Sequence, residues 1–471
     1  MNILQTMTDP QLFGAAFRPA ADGVDTWKAW RAFLGCLFGL ELPADQVELV
    51  RQHTGRTDLP GAPFTEASLV IGRRGGKSRI LSLIGLYLAC FIDHSGKLAP
   101  GERGVVAIVA ADRRQARNIL AFTMGLLRSV PALAELIVGE TQDSVSLSNG
   151  IVIEVYSASF RLTRGTSLVA ALMDELAFFR DATSANPDTE IVAALRPGLA
   201  NLGGLLLLAS SPYARRGALW DSYKLNYGQP GARVLCWKAS TLEMNPALPA
   251  SIVAAAYEAD PASAAAEFGG EFRIDIAQFV DRQVVEAAVV PDRFELPCIS
   301  GVSYSAFCDP SGGSSDSYTI AISHQERGLG VLDAVRERRP PFSPEAVTIE
   351  YAELLKTYGI RQVTGDRYAG EFPRELFFKQ NITYSLSDRP KSDIYRDTLP
   401  LLNSGKMELL DNRVLISQLC GLERRTARGG RDSIEHAPGA KDDVINAAMG
   451  ALLAVSTRPD KASLWAMQAP A

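Results

Sequence analysis

Cysteine and histidine are both scarce. The six cysteines, Cys36, Cys90, Cys236, Cys298, Cys308 and Cys420, never stand as a CxxC pair. That spacing supports neither a zinc knuckle nor a disulfide framework, and reduced thiols are expected. The four histidines, His53, His94, His324 and His436, do not fall at ligand spacing, so a metal site here would be built from carboxylates. Long apolar runs are missing too. The longest, Ile80 to Ile92, is 13 residues and includes Ser82; a bilayer crossing needs about 20. The N-terminal MNILQTMTDPQLFG lacks the cationic start and apolar core of a signal peptide. A soluble protein of the cytoplasm, with no membrane partner, is expected. Excess charge is also absent: 48 basic residues face 53 acidic ones. This excludes a wholly basic nucleic-acid coat but leaves room for a local basic groove.

What is present is ordinary globular composition, 47% apolar and 21% charged, which excludes collagenous, coiled-coil and disordered chains. The 471 residues suggest about two to four domains. Residues 1–60 read as helical, with Trp27, Trp30, Phe33, Leu34 and Phe38 at three- and four-residue steps on one face. Apolar strands then alternate with helices: Ala67–Gly72, Val105–Ala111, IVIEVYSA, Ser167–Glu175, Gly203–Pro212 and Arg233–Ser240. Such a pattern predicts a parallel sheet covered on both faces, an α/β domain over 61–270. Residues 271–297 read as a linker. Three successive strands open a second domain over 298–457, and 458–471 read as a mobile tail.

Gly72-Arg73-Arg74-Gly75-Gly76-Lys77-Ser78 lies between a strand and a helix, where a phosphate-binding loop belongs. Backbone N–H groups of such a loop and of the helix start face the phosphates. Lys77 would reach the β- and γ-phosphates of ATP and Ser78 would hold Mg²⁺. The loop is one residue shorter than the general pattern, since Ile71 stands where the first glycine would. Asp174 and Glu175 close an apolar strand. Buried acids at that edge face the crevice where ligands bind, Asp174 orienting Mg²⁺ and Glu175 serving as general base. Ser210 and Ser211, at the end of the next strand, are placed to sense the γ-phosphate, or simply sit in a strand-ending turn. Arg73 would act as an arginine finger in cis, or as a ground-state clamp, or in a salt bridge to a partner.

The second domain carries its own acids. Asp309 and Asp366 end strands, and Asp442-Asp443 open the last helix. Converging there, they would bind two Mg²⁺ or Mn²⁺ ions for phosphodiester hydrolysis. Asp442 and Asp443 also read as helix caps. The order strand-Asp, two strands, helix, strand-Asp, late Asp-Asp is the layout of an RNase H-like nuclease. Asp316 is placed as an outer partner of the site. From Arg413 to Arg431, five arginines accompany one acid, a stretch suited to a DNA backbone or to a solvated loop.

These residues resemble the large terminase subunit of tailed bacteriophages and prophages, over about Asp9 to Ala454. The family's phosphate loop is often Arg-x-x-Gly-Lys-Ser/Thr, as in Arg73 to Ser78, which accounts for the short loop and favours Arg73 as the cis arginine. Arg164-Gly165 matches a further family pair. Lys441 stands where the family often has histidine, and Gln46 and Gln52 are both candidates for the adenine contact. The resemblance implies a P-loop ATPase of ASCE type joined to an RNase H-like nuclease. It further implies packaging of double-stranded DNA into a procapsid in the host cytoplasm, as a ring, pentameric in the family, on the portal protein and with a small terminase subunit. Two other readings stay open: a helicase or repair ATPase with a non-cutting DNA-binding domain, and a small-molecule kinase.

Overall fold

The computed structural model describes residues 1–20, 23–59, 61–157, 165–179, 187–366, 372–426 and 432–456. The chain divides into two units at Ile274/Asp275.

The first unit is built on an eight-stranded sheet. Its strands are β1 (Glu66–Ile71), β2 (Gly104–Ala110), β3 (Ile137–Glu140), β4 (Ser144–Leu147), β5 (Ile151–Ser157), β6 (Ser167–Asp174), β7 (Leu205–Ser210) and β8 (Leu235–Ala239), in the order β3-β4-β5-β2-β6-β7-β1-β8. The six expected strands are its parallel part. Val, Ile, Leu and Ala fill them because both faces are covered; β2 and β6 are buried throughout. Antiparallel β3 and β4 are an addition that short, half-polar segments did not signal. One strand, β7, separates the loop-bearing β1 from the acid-bearing β6, the arrangement of ASCE-type P-loop ATPases. The aromatic stripe of the N-terminal region is core: Trp30 and Phe33, fully buried on the helix Lys28–Leu37, meet edge to face with centroids 5.8 Å apart, and Phe33 meets Trp237 of β8 likewise at 5.6 Å.

The second unit starts earlier than expected. Residues 275–297 are part of it rather than a linker. Their Ile276–Gln278 forms β9, and Phe279, Val280, Val285 and Ala288 are buried in the second core. Spaced apolar residues gave that segment surface to bury, and the three-strand pattern starting at Val302 hid it. Its main sheet contains β10 (Tyr304–Asp309), β11 (Tyr318–Glu326), β12 (Leu329–Arg338), β13 (Gln362–Gly365), β14 (Thr383–Leu386) and β15 (Met407–Glu408), ordered β14-β13-β10-β11-β12-β15. β10, β11 and β12 are antiparallel, whereas β13 and β14 run parallel to β10, which is the RNase H-like order. β16 (Leu422–Thr426) pairs with β9 and with β17 (Asp432–His436) in a small antiparallel sheet.

The helix Asp443–Ser456 lies across β10, β11 and β12. Gly450 sets how close it comes: a Cβ there would stand 2.3 Å from the Phe307 ring. That approach carries the helix's first turn to the C-terminal end of β10. The expected tail, 458–471, lies outside the described residues.

Candidate active sites

The phosphate loop leaves β1 and turns into the helix Lys77–Cys90. Gly76, at φ 97°, makes the turn, and Arg74 adopts φ 64° just before it. Side chains from distant segments hold the loop from behind. Trp30 Nε1 donates to Gly75 O at 2.8 Å, Thr241 Oγ1 to Arg73 O at 2.7 Å, and Asn245 Nδ2 to Arg74 O at 2.9 Å. No side chain caps the start of the helix, so its first N–H groups are left for an anion.

Lys77 is 5% exposed. Its ammonium donates to Ile71 O at 2.9 Å and Gly72 O at 3.3 Å and stands 3.8 Å from Glu175 Oε1. Ser78 Oγ donates to Asp174 Oδ2 at 2.8 Å. Burial, then the adjacent Glu175 carboxylate, pushes the Asp174 carboxyl above the usual range, while Lys77 opposes the shift. Such a carboxylate, beside a hydroxyl and short of positive charge, fits Mg²⁺ brought in with a nucleotide. Glu175 adopts φ 53°, ψ 41°, a left-handed conformation costing a non-glycine residue roughly 1–3 kcal/mol. Its Oε2 accepts from Ser210 Oγ and Ser211 Oγ, each at 3.2 Å. Both expected hydroxyls, Ser210 and Ser211, are therefore held by the glutamate.

Arg73 departs from the cis-finger expectation. Its guanidinium pairs with Glu267 Oε1 at 3.0 Å and lies 5.9 Å from the Phe178 ring centroid. To act on a γ-phosphoryl, the half-exposed guanidinium would have to leave this pair. Gln52 donates to Glu243 at 3.1 Å, whereas the buried Oε1 of Gln46 has no partner. Gly165 precedes β6, and Arg164 lies outside the described residues.

The carboxylates of the second unit line one cleft of about 820 Å³. Asp309, Asp366, Asp442 and Asp443 are all on its wall, with Asp316, Lys391, His436 and Lys441. Asn446, one turn into the last helix and unremarked in the sequence, ties two of them together. Its Nδ2 donates to Asp309 Oδ2 at 2.8 Å and reaches Asp366 Oδ2 at 3.5 Å. Asp443 Oδ2 accepts from Ser317 N at 3.2 Å. Burial, reinforced by the charges of Asp443, Asp366 and Asp442, pushes Asp309 up to about 8, against the pull of the Asn446 hydrogen bond.

The expected four-carboxylate cage is not preassembled. Among the described residues, no three His, Cys, Asp or Glu side chains stand close enough to hold an ion as they are. Like charges resist closer approach, and Asp442 turns instead to Lys391 Nζ at 2.9 Å and Tyr395 OH at 3.1 Å. The donor set still fits a hard divalent cation. It is all oxygen, the hydrogen-bond partner of Asp309 is a neutral amide, and Asn446 Oδ1 is buried without a partner.

The basic stretch is less free than expected. Arg424 pairs with Asp432, and Arg425 with Glu423 at 3.3 Å and Glu435 at 3.6 Å; Arg428 and Arg431 lie outside the described residues. Asp316, expected as an outer partner of the site, lines the same cleft and meets Lys441 at 2.6 Å.

Burial pushes the folded Asp309 carboxyl up to about 8, from 3.8 for the free side chain. Between these values the folded chain holds the extra proton. The group's contribution to stability is thus complete below about pH 4 and is lost as pH rises through 8. Asp309→Asn does not titrate. In chelator it is expected to melt at the wild-type temperature at pH 4 and roughly 3 °C or more above it at pH 9. Thermal melts at the two pH values check this; an equal difference at both would contradict it.

Comparison with known proteins gives no matching family model and no matching curated protein. Solved structures do match. The chain is similar in fold to phage large terminases. The HK97 bacteriophage large terminase is 16% identical, covering 88% of this chain and 95% of that one at a TM-score of 0.37. A large terminase from a thermophilic bacteriophage, in complex with ATP-γ-S, is 10% identical over 90% and 97%, also at 0.37. The large terminase nuclease of thermophilic phage G20c with bound magnesium is 13% identical over 36% and 94%, at 0.32. At such TM-scores the reading rests on this chain's own strand order and side chains.

Proposed function

We propose that the chain is a viral DNA-packaging motor that hydrolyses ATP in its first unit and cuts DNA in its second. One observation carries the reading: each unit gathers its phosphate-handling side chains at a single strand edge. Lys77, Ser78, Asp174 and Glu175 meet within hydrogen-bond and ion-pair reach in one unit, and Asp309, Asp366 and Asn446 do so in the other.

For ATP, the loop N–H groups and Lys77 would bind the phosphates, Ser78 and Asp174 would hold the accompanying Mg²⁺, and Glu175 would accept the proton of the attacking water. Ser210 and Ser211 orient Glu175. For DNA, Asp309, Asp366 and Asp443 would hold divalent cations, which supply charge stabilisation and an acidified water at the scissile phosphodiester. Asn446 keeps Asp309 and Asp366 side by side. The motif resemblance extends this chemistry to a ring on the portal protein of a procapsid, supplied with DNA through a small terminase subunit, in the host cytoplasm. A near-neutral chain suits a motor that must release phosphates as often as it grips them.

The test combines three assays on one preparation: DNA-stimulated ATP turnover, metal-dependent cutting of linear duplex, and ATP-dependent uptake of DNA into portal-bearing procapsids. All three activities are expected. Strand separation without cutting would favour the helicase-type reading instead.

A further inference from the structure

Lys391 breaks a local rule. It is the first residue of the helix Lys391–Asn403, where the helix dipole disfavours a cation. Its ammonium nevertheless lies in the acidic cleft, 2.9 Å from Asp442 Oδ2 and 3.1 Å from Oδ1. Tyr395, one turn on, adds its hydroxyl to Oδ2 at 3.1 Å, and His436 Nε2 stands 3.9 Å from Oδ1. The Asp442 side chain is only 4% exposed. Both its oxygens are thus engaged by this chain's own donors, a cation among them. Asp309 instead meets the neutral Asn446 amide, and Asp443 Oδ2 meets a backbone N–H. The carboxylates of the cleft are therefore not equivalent.

We propose that Lys391 is a built-in counter-cation that withdraws Asp442 from the metal-binding set and keeps the cleft's affinity for divalent cations low until substrate phosphate enters. It is a positioning residue, and the proposal rests on the cutting function proposed above. Asp309, Asp366 and Asp443 are left as the metal ligands. A fixed ammonium near them opposes a dication directly, and it occupies the carboxylate that would otherwise complete a four-acid cage. A DNA phosphate adds negative charge and a further oxygen donor, so metal capture becomes coupled to substrate. Restraint of this kind suits a nuclease that must not cut while DNA is being moved.

The experiment is calorimetric titration of Mn²⁺ into the full chain, without nucleotide or DNA, for wild type and five variants. Lys391→Met is expected to bind Mn²⁺ about tenfold more tightly than wild type. Lys391→Arg, which keeps the charge, is expected to match wild type. The double variant Lys391→Met/Asp442→Asn removes both charges together and is expected to stay within about threefold of wild type. Asp442→Asn alone leaves the ammonium unpaired and is expected to bind more weakly. Asp309→Asn is expected to lose the site. Equal affinity in Lys391→Met and wild type would overturn the proposal. So would a double variant as defective as Asp309→Asn, since Asp442 would then be a ligand. If Lys391→Arg behaved like Lys391→Met, packing rather than charge would be responsible, which also overturns it. A wild type showing no Mn²⁺ binding that Asp309→Asn removes would instead defeat the cutting function itself. Melting curves of each variant confirm that the folded chain is being titrated.

Discussion

Lys77→Ala is expected to lower ATP turnover by about three orders of magnitude, the scale for removing a preorganised charge from a phosphoryl-transfer site. The structure gives the reason. The ammonium is nearly excluded from solvent, is aimed by two loop carbonyls, and stands within ion-pair reach of Glu175. Arg73 cannot take its place while Glu267 holds the guanidinium. Lys77→Arg should rescue little: a planar guanidinium does not fit a pocket shaped for a compact ammonium bonded to Ile71 O and Gly72 O. Since Lys77 belongs to the first unit, metal-dependent cutting should persist near wild-type rate. Steady-state phosphate release, with nicking assayed on the same protein, measures both. Turnover within tenfold of wild type would show that Lys77 does not face the γ-phosphate.

Asp309→Ala is expected to do the reverse, abolishing cutting by about a thousandfold or more while ATP turnover survives. Asp309 ends β10, a central strand of its sheet, and burial together with three other carboxylates raises its pKa. A group so short of positive charge gains most from a cation and is missed most when removed. Asn446→Ala should be milder, about ten- to a hundredfold, because Asn446 orients Asp309 and Asp366 rather than binding metal in their place. Supercoiled plasmid in Mn²⁺ provides the assay. A fully active Asp309→Ala would place cutting outside this cleft.

What could be read from the sequence was local. The parallel strands announced themselves as apolar runs, and the Gly-Gly-Lys-Ser turn and the Asp174-Glu175 strand end marked the first candidate site. In the second unit, the order of strand-ending aspartates named the acids that line the cleft. What escaped depends on residues far apart in sequence. Trp30, Thr241 and Asn245 brace the loop from 45 to 171 residues away, and no local pattern marks them. Asn446 looked like an ordinary helix residue until Gly450 let its helix settle on Phe307 and brought its amide to Asp309. Lys391 and Tyr395 fall in a segment whose sequence has no motif, yet they decide which way Asp442 turns. The linker reading of 271–297 failed likewise, because β9 is specified by its partner β16 and not by its own three residues.

The central claim is that one chain holds two separate metal-and-phosphate centres. Anomalous diffraction at the manganese edge tests it most directly, on crystals grown with Mn²⁺, a non-hydrolysable ATP analogue and a short non-cleavable DNA duplex. Manganese is predicted at two places, beside Ser78 and Asp174 and among Asp309, Asp366 and Asp443. A peak at only one of these places, or manganese bound at neither, would contradict the account.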